Sequence, residues 1–97
     1  MIRFLEAAQK ELDEAMAFHE AQAHGLGRLF LAELLVAMEL VRRHPMAWHP
    51  ISTNTRRCRL RRFPYGLIYS MEGPEILIIA VAHLHRRPGY WRDRLQG

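Results

Sequence analysis

Apolar residues recur every three or four positions through the first half of the chain and every two positions through much of the second. Leu5, Ala8, Leu12, Ala15/Met16 and His19 form one stripe, while Glu6, Lys10, Asp13, Glu14 and Glu20 fill the other side. This spacing predicts an amphipathic helix from Leu5 to about His24. Gly25 can take the left-handed conformation that closes a helix, so Gly25-Leu26-Gly27 predicts a tight bend. Leu29/Phe30, Leu34, Ala37/Met38 and Val41, widened by Leu31 and Leu35, predict a second helix from about Gly27 to His44. Arg42, Arg43 and His44 complement the dipole of its last turn, and Pro45 stops it. Two helices joined by so short a turn must lie antiparallel.

Strands flank this hairpin. Ile2-Arg3-Phe4 reads as a short first strand, and Met46 to Arg56 has no period and reads as a loop. Arg57-Cys58-Arg59-Leu60-Arg61 alternates, with Cys58 and Leu60 on one face and three arginines on the other. Tyr65, Leu67, Tyr69 and Met71 alternate in the next strand, with Ile68 opposite, and Glu72-Gly73-Pro74-Glu75 is a turn. Glu75 to about His83 is apolar on both faces, which predicts a central, doubly covered strand. Arg86-Arg87-Pro88-Gly89 breaks it, and Tyr90 to Leu95 forms a short tail of about one helical turn. The expectation is a single α+β domain over residues 1–97 in the order β-α-α-β-β-β, an antiparallel meander sheet packed against an αα-hairpin.

Composition narrows the setting. The 97 residues suit one core, and the single cysteine, Cys58, excludes an intramolecular disulfide and fits a reducing compartment. Met1 to Glu6 carries no signal-type pattern, and the longest apolar run, Ile76 to Ala82, is too short to span a bilayer. Both observations predict a cytoplasmic protein without a membrane partner. The net charge of +4 conceals a division. Residues 1–41 carry three basic and seven acidic side chains, net −4, whereas residues 42–97 carry eleven arginines and three acids, net +8. Arginine presents a planar fork suited to phosphates and carboxylates, so the basic half points to a nucleic acid or an acidic protein.

Three constellations are candidates for chemistry. The first is Arg57, Arg59 and Arg61, with Arg62 beside them, spaced roughly 7 Å apart along one strand face. Such a row grips phosphates or acidic side chains, or simply guards an edge strand by charge. The second is His83-Leu84-His85-Arg86-Arg87 with Tyr90 and Trp91 behind it. Here histidines at the end of a central strand can move protons, and Arg86 or Arg87 can stabilise a phosphate; the alternative is a strand end that is polar because it leaves the core. A third ligand for His83 and His85 is not evident, so no metal is assigned and no cofactor is implied. The third is the aromatic set Trp48, Tyr90 and Trp91, able to stack on bases or to fill core. Cys58 reads as a small buried residue.

Several of these segments together resemble the RelE/ParE superfamily, toxins of type II toxin–antitoxin modules that include plasmid stabilisation proteins. The resemblance rests on Gly25-Leu26-Gly27-Arg28-Leu29-Phe30 at the helical bend, the His44-Pro45 stop and the run Arg59-Leu60-Arg61-Arg62-Phe63-Pro64-Tyr65-Gly66-Leu67-Ile68-Tyr69. The apolar strand Ile76–Ala82 and the closing His85-Arg86-Arg87-Pro88 complete it. It implies a growth-inhibiting toxin, neutralised by an antitoxin from an adjacent gene, as a homodimer or a toxin–antitoxin hetero-oligomer. Arg57, Arg59, Arg61, Arg62, Arg86, Arg87, Tyr90 and Trp91 would then contact antitoxin or target. The ParE-like branch, which poisons DNA gyrase, is favoured by the two full-length helices and the Phe-Pro-Tyr wording. The RelE-like branch cuts mRNA in the ribosome without a metal and would use His83, His85, Arg61, Arg86 and Tyr90. Its members typically carry lysines on the sheet, and here no lysine lies beyond Lys10.

Overall fold

The computed structural model describes residues 1–95. Strand β1 (Ile2–Phe4) leads into helices α1 (Glu6–Gln22) and α2 (Leu26–Arg43). Strands β2 (His49–Pro50), β3 (Thr55–Arg59), β4 (Tyr65–Glu72) and β5 (Glu75–His83) follow, and a 3-10 turn at Arg92–Leu95 is the last described element. The sheet order is β1-β5-β4-β3-β2. β2 to β5 form an antiparallel meander, and β1 joins the far side parallel to β5, with Ile2 opposite Ile76. This is the expected α+β arrangement with one addition. The segment read as a loop contains β2, where His49 faces Arg57 and Pro50 faces Arg56. Two residues around a proline give no period to read, and proline is tolerated there because β2 is an edge.

The hairpin turns as its glycines suggest. Gly25 has φ of 87°, and the Glu20 carboxylate accepts the backbone N–H groups of Gly25 and Gly27. These bonds satisfy donors at the start of α2 that have no partner within the helix. Ala8, Leu12 and Ala15 of α1 and Phe30, Leu34, Ala37 and Val41 of α2 face the sheet, where they meet Cys58, Leu60, Leu67, Tyr69, Ile78 and Val81. Burying one large apolar side chain contributes about 1.5–3 kcal/mol, so this layer carries most of the stability. His19 sits in it with Nδ1 2.7 Å from the Ala15 carbonyl, its ring stacked on Phe30 and edge-on to Phe63. Leu35, expected to widen the buried stripe, is exposed.

β3 runs from Thr55 to Arg59 rather than from Arg57 to Arg61. The Leu60 N–H closes onto the Tyr65 carbonyl at 2.9 Å, so Arg61 to Pro64 form the bend into β4. A bulge interrupts β5: Ile68 pairs with Ala80 and Tyr69 with Ile78, leaving Ile79 extra. The phase of the strand therefore changes. Ile78 and Val81 both face the helices, while Ile79, Ala80 and Ala82 form a second cluster with Ile68 and Trp91. A simple period of two would put Leu77, Ile79, Val81 and His83 on one face, and the bulge breaks that alternation.

The tail crosses this second face. Since β1 covers only Ile76 to Ile78, the edge of β5 beyond Ile78 lacks a neighbouring strand. Side chains satisfy it instead: Glu11 accepts the Val81 N–H at 3.0 Å, and Arg94 donates to the Ile79 carbonyl at 3.0 Å.

Candidate functional site

A groove of about 560 Å³ runs between α2 and the outer end of β3. Val36, Ala37 and Leu40 supply its helical wall, and Cys58 and Leu60 supply its floor. Trp48 closes one end, its indole N–H directed at the Leu40 carbonyl at 3.4 Å. Val36 is 56% exposed and Leu40 38%, an apolar surface open to solvent. Arg59, Arg61 and Arg62 rim it. Arg62 is held in place, since Glu33 accepts its backbone N–H at 2.9 Å and its guanidinium at 2.5 Å. Burial opposes ionisation of Glu33, but the Arg62 hydrogen bonds and charge win and hold its carboxyl below the ordinary range. Burial pushes the Cys58 thiol up to about 11, so the groove floor is neutral.

The strand edge beside the groove is also open. Leu60 is hydrogen-bonded to Tyr65 across β3 and β4, so the alternation of the antiparallel ladder turns the Arg59 backbone groups outward. β2 pairs only with Arg56 and Arg57, and no strand among the described residues runs beside Arg59.

The predicted arginine row therefore divides. Arg57 and Arg59 lie opposite Cys58 on β3, whereas Arg61, beyond the strand end, lines the groove with Arg62. Arg57 lies against a different depression, bordered by His83, Arg86, Arg87, Tyr90 and Trp91. The five residues of the ribonuclease reading are thus not gathered at one place, since Arg61 borders the groove and His83, Arg86 and Tyr90 border the second depression. His83 faces the helices and touches the Tyr65 ring, with Nδ1 accepting the His85 N–H at 3.1 Å. The His85 ring is exposed and lies 5.1 Å from that of His83, between ring centres. Tyr90 is half-buried, and Trp91 at 4% exposure is core rather than an exposed contact.

Fold and site can be set beside known proteins. Residues 2–88 match the family model described as the ParE toxin of the type II toxin–antitoxin system, parDE. This chain belongs to the ParE toxin family. No curated protein sequence matches it. A solved structure titled "Chromosomal ParDE TA system from P. aeruginosa" superposes with a TM-score of 0.61 at 19% identity, over 87% of this chain and 95% of that one. At that identity the likeness establishes the shared fold.

The toxin contains a polar junction that its sequence pattern conceals. The Glu11 carboxylate receives the Tyr90 hydroxyl, both terminal nitrogens of Arg94 and the Val81 N–H. Burial works against its charge, but the bonds from Arg94, Tyr90 and Val81 hold its carboxyl below the ordinary value. Burial first, then the bond to Glu11, pushes the Tyr90 hydroxyl far above the usual phenol range. Glu11 lies on α1 beside Leu12, one position off the apolar stripe, and the only hint was a carboxylate bordering that stripe. Glu33, which shapes the groove, was likewise unmarked in the sequence, whereas Trp48, grouped there with Tyr90 and Trp91, lies at the groove away from both. No metal-binding group of three or more His, Cys, Asp or Glu occurs among the described residues, and no helix there is long and apolar enough to cross a membrane.

Proposed function

We propose that this ParE-family toxin acts in the cytoplasm by binding DNA gyrase, and that an acidic antitoxin silences it by seating an amphipathic segment in the α2–β3 groove. The groove carries the reading. Its floor and helical wall are apolar, three arginines rim it, and an open strand edge adjoins it. An acidic amphipathic partner matches each part: apolar side chains fill the floor, carboxylates meet Arg59 and Arg61 beside the Glu33-paired Arg62, and backbone groups extend the sheet at Arg59. Toxin and antitoxin would then form a hetero-oligomer.

The state of the C-terminal side chains favours action by binding over RNA cleavage. A general acid or base needs a free ring nitrogen or hydroxyl aimed at substrate. The Tyr90 hydroxyl is committed to Glu11, and Arg61 borders the α2–β3 groove instead of joining His83 and Arg86 at the second depression. Purified toxin is expected to abolish gyrase supercoiling in vitro, and added antitoxin to restore it. Unimpaired supercoiling, together with cleaved mRNA in a translation extract, would replace this reading with the ribonuclease one.

A further inference from the structure

On the face of the sheet away from the groove, β3, β4 and the C-terminal tail enclose a shallow trough of about 150 Å³. Its floor is shaped by small residues. Gly66 has no side chain, so the aliphatic stem of Arg57 lies flat across it, and a Cβ added there would stand 2.8 Å from Arg57 Cγ and Cδ. Ala82, paired with Gly66 across β4 and β5, keeps the adjoining floor low. Arg57, Arg86, Arg87 and Arg92 border the space, and no acidic residue does.

These four arginines, like Arg28, Arg59 and Arg61, differ from those whose side chains are held within the chain. Arg56 donates to the Trp48 carbonyl, Arg62 pairs with Glu33, and Arg94 pairs with Glu11. Among the described residues, none of the four trough arginines makes an ion pair or a side-chain hydrogen bond within the chain. Arg57 Nε is the sharpest case, because it is buried and has no hydrogen-bond partner. A buried guanidinium N–H without an acceptor is costly, and an anion arriving from outside would be drawn to the same guanidinium through its terminal nitrogens, which are not enclosed. The Arg86 guanidinium is steadied 4.0 Å from the centre of the Tyr90 ring, and Arg92 lies over Trp91. The aromatic contacts orient these cations without neutralising them.

We propose that this trough binds a backbone phosphate of a nucleic acid strand, with the Arg57 guanidinium as its anchoring donor and Arg86, Arg87 and Arg92 as the surrounding cations. A phosphodiester fits better than a carboxylate side chain. Both groups offer a forked donor two oxygens that share one charge, but a strand presents further phosphates at regular spacing to the neighbouring arginines. The assignment is separate from the antitoxin groove and stands whether or not gyrase is the target.

The test uses the full chain and a 12-nucleotide single-stranded DNA, following the Arg57 Nε–Hε signal by NMR while affinity is measured at several salt concentrations. The expected result is a saturable shift of that signal. Arg57→Met should weaken binding about ten-fold and lower the salt slope by about 0.7, the value for one lost single-strand phosphate contact. Gly66→Ala, which keeps every charge but displaces the Arg57 stem, should weaken binding in the same direction. Arg42→Met, which removes a cation far from the trough, should change affinity less than about two-fold, as a surface control. Equal losses in the Arg57 and Arg42 variants, or an Arg57 signal unmoved at saturation, would overturn the proposal. So would equally tight binding of an oligoglutamate of the same charge that shifts the same signal. The signal in the unmodified protein decides the matter even if a variant fails to fold.

Discussion

The Tyr90 hydroxyl donates to the Glu11 carboxylate at 2.7 Å, joining residues 79 positions apart. Arg94 reaches the same carboxylate at 2.9 Å through each of its terminal nitrogens. One acidic side chain on α1 thus fastens the tail and finishes the uncovered edge of β5. Glu11→Ala should destabilise the protein by about 2–3 kcal/mol, because charge-assisted bonds are lost and Arg94 is left without its counter-ion. Tyr90→Phe should cost about 1 kcal/mol, and urea denaturation would measure both.

The same junction predicts a pH dependence. Its hydrogen bonds hold the folded Glu11 carboxyl below its ordinary value, so the unfolded chain takes up a proton first as pH falls. The stabilisation is complete above the unfolded carboxylate pKa of about 4.3 and disappears as pH drops through the folded value. Urea midpoints of the wild type and Glu11→Gln, well separated at neutral pH, should converge as the pH is lowered below that point. A constant gap down to the folded value would remove Glu11 from the explanation.

The helical bend offers a steric prediction. A Cβ at Gly27 would stand 2.6 Å from the Met16 carbonyl oxygen and 3.1 Å from Glu20 Cβ. Gly27→Ala should force the helices apart and destabilise the fold by about 1–3 kcal/mol, despite the better helix propensity of alanine. Thermal melting would show the sign directly, and an unchanged or raised midpoint would mean that the helices yield freely.

Cys58 reports on the closure of the groove floor. The residue is 2% exposed and burial pushes its thiol up to about 11, so at pH 8 it holds little thiolate. A thiol reagent should label the native protein slowly, at a rate that rises with denaturant. Prompt labelling without denaturant would reveal opening between α2 and β3.

Substitution in the groove should separate binding from folding. Val36→Glu and Leu40→Glu place charge on positions that already face solvent, so stability should change by about 0.5 kcal/mol or less. Each charge would meet the apolar side of the antitoxin, weakening the complex about ten-fold or more by calorimetry. Unaltered affinity in both variants would place the antitoxin elsewhere.

Much of this molecule was legible in its sequence because local chemistry and tertiary structure agree. The 3.6-residue stripe from Ala8 to His19, the Gly25 turn and the apolar run from Glu75 to His83 each formed the element that their pattern predicted. The failures lie where a long-range contact overrides a local rule. Arg61 continues the alternation of β3 in sequence, yet the Leu60–Tyr65 bond ends the strand before it. Trp91 belongs to a stretch rich in arginine, yet it packs with Ile68, Ile79 and Ala82 because the tail folds back over the sheet. Arg57 looked equivalent to Arg59 by spacing, and only the missing side chain of Gly66 sets it apart.

The extra residue at Ile79 bears on how the protein tolerates changes in length. The two halves of β5 present opposite parities to the helices, and the bulge reconciles them. Deleting Ile79 would preserve the apolar character of the strand but exchange the faces of every residue on one side of the deletion. Val81 would turn from the helices, and the tail would lose the surface that receives Trp91. A one-residue insertion among Ser52, Thr53 and Asn54, in the exposed turn between β2 and β3, meets no such constraint. Length variation should therefore accumulate in that turn and be excluded from β5, even where substitutions within the strand survive.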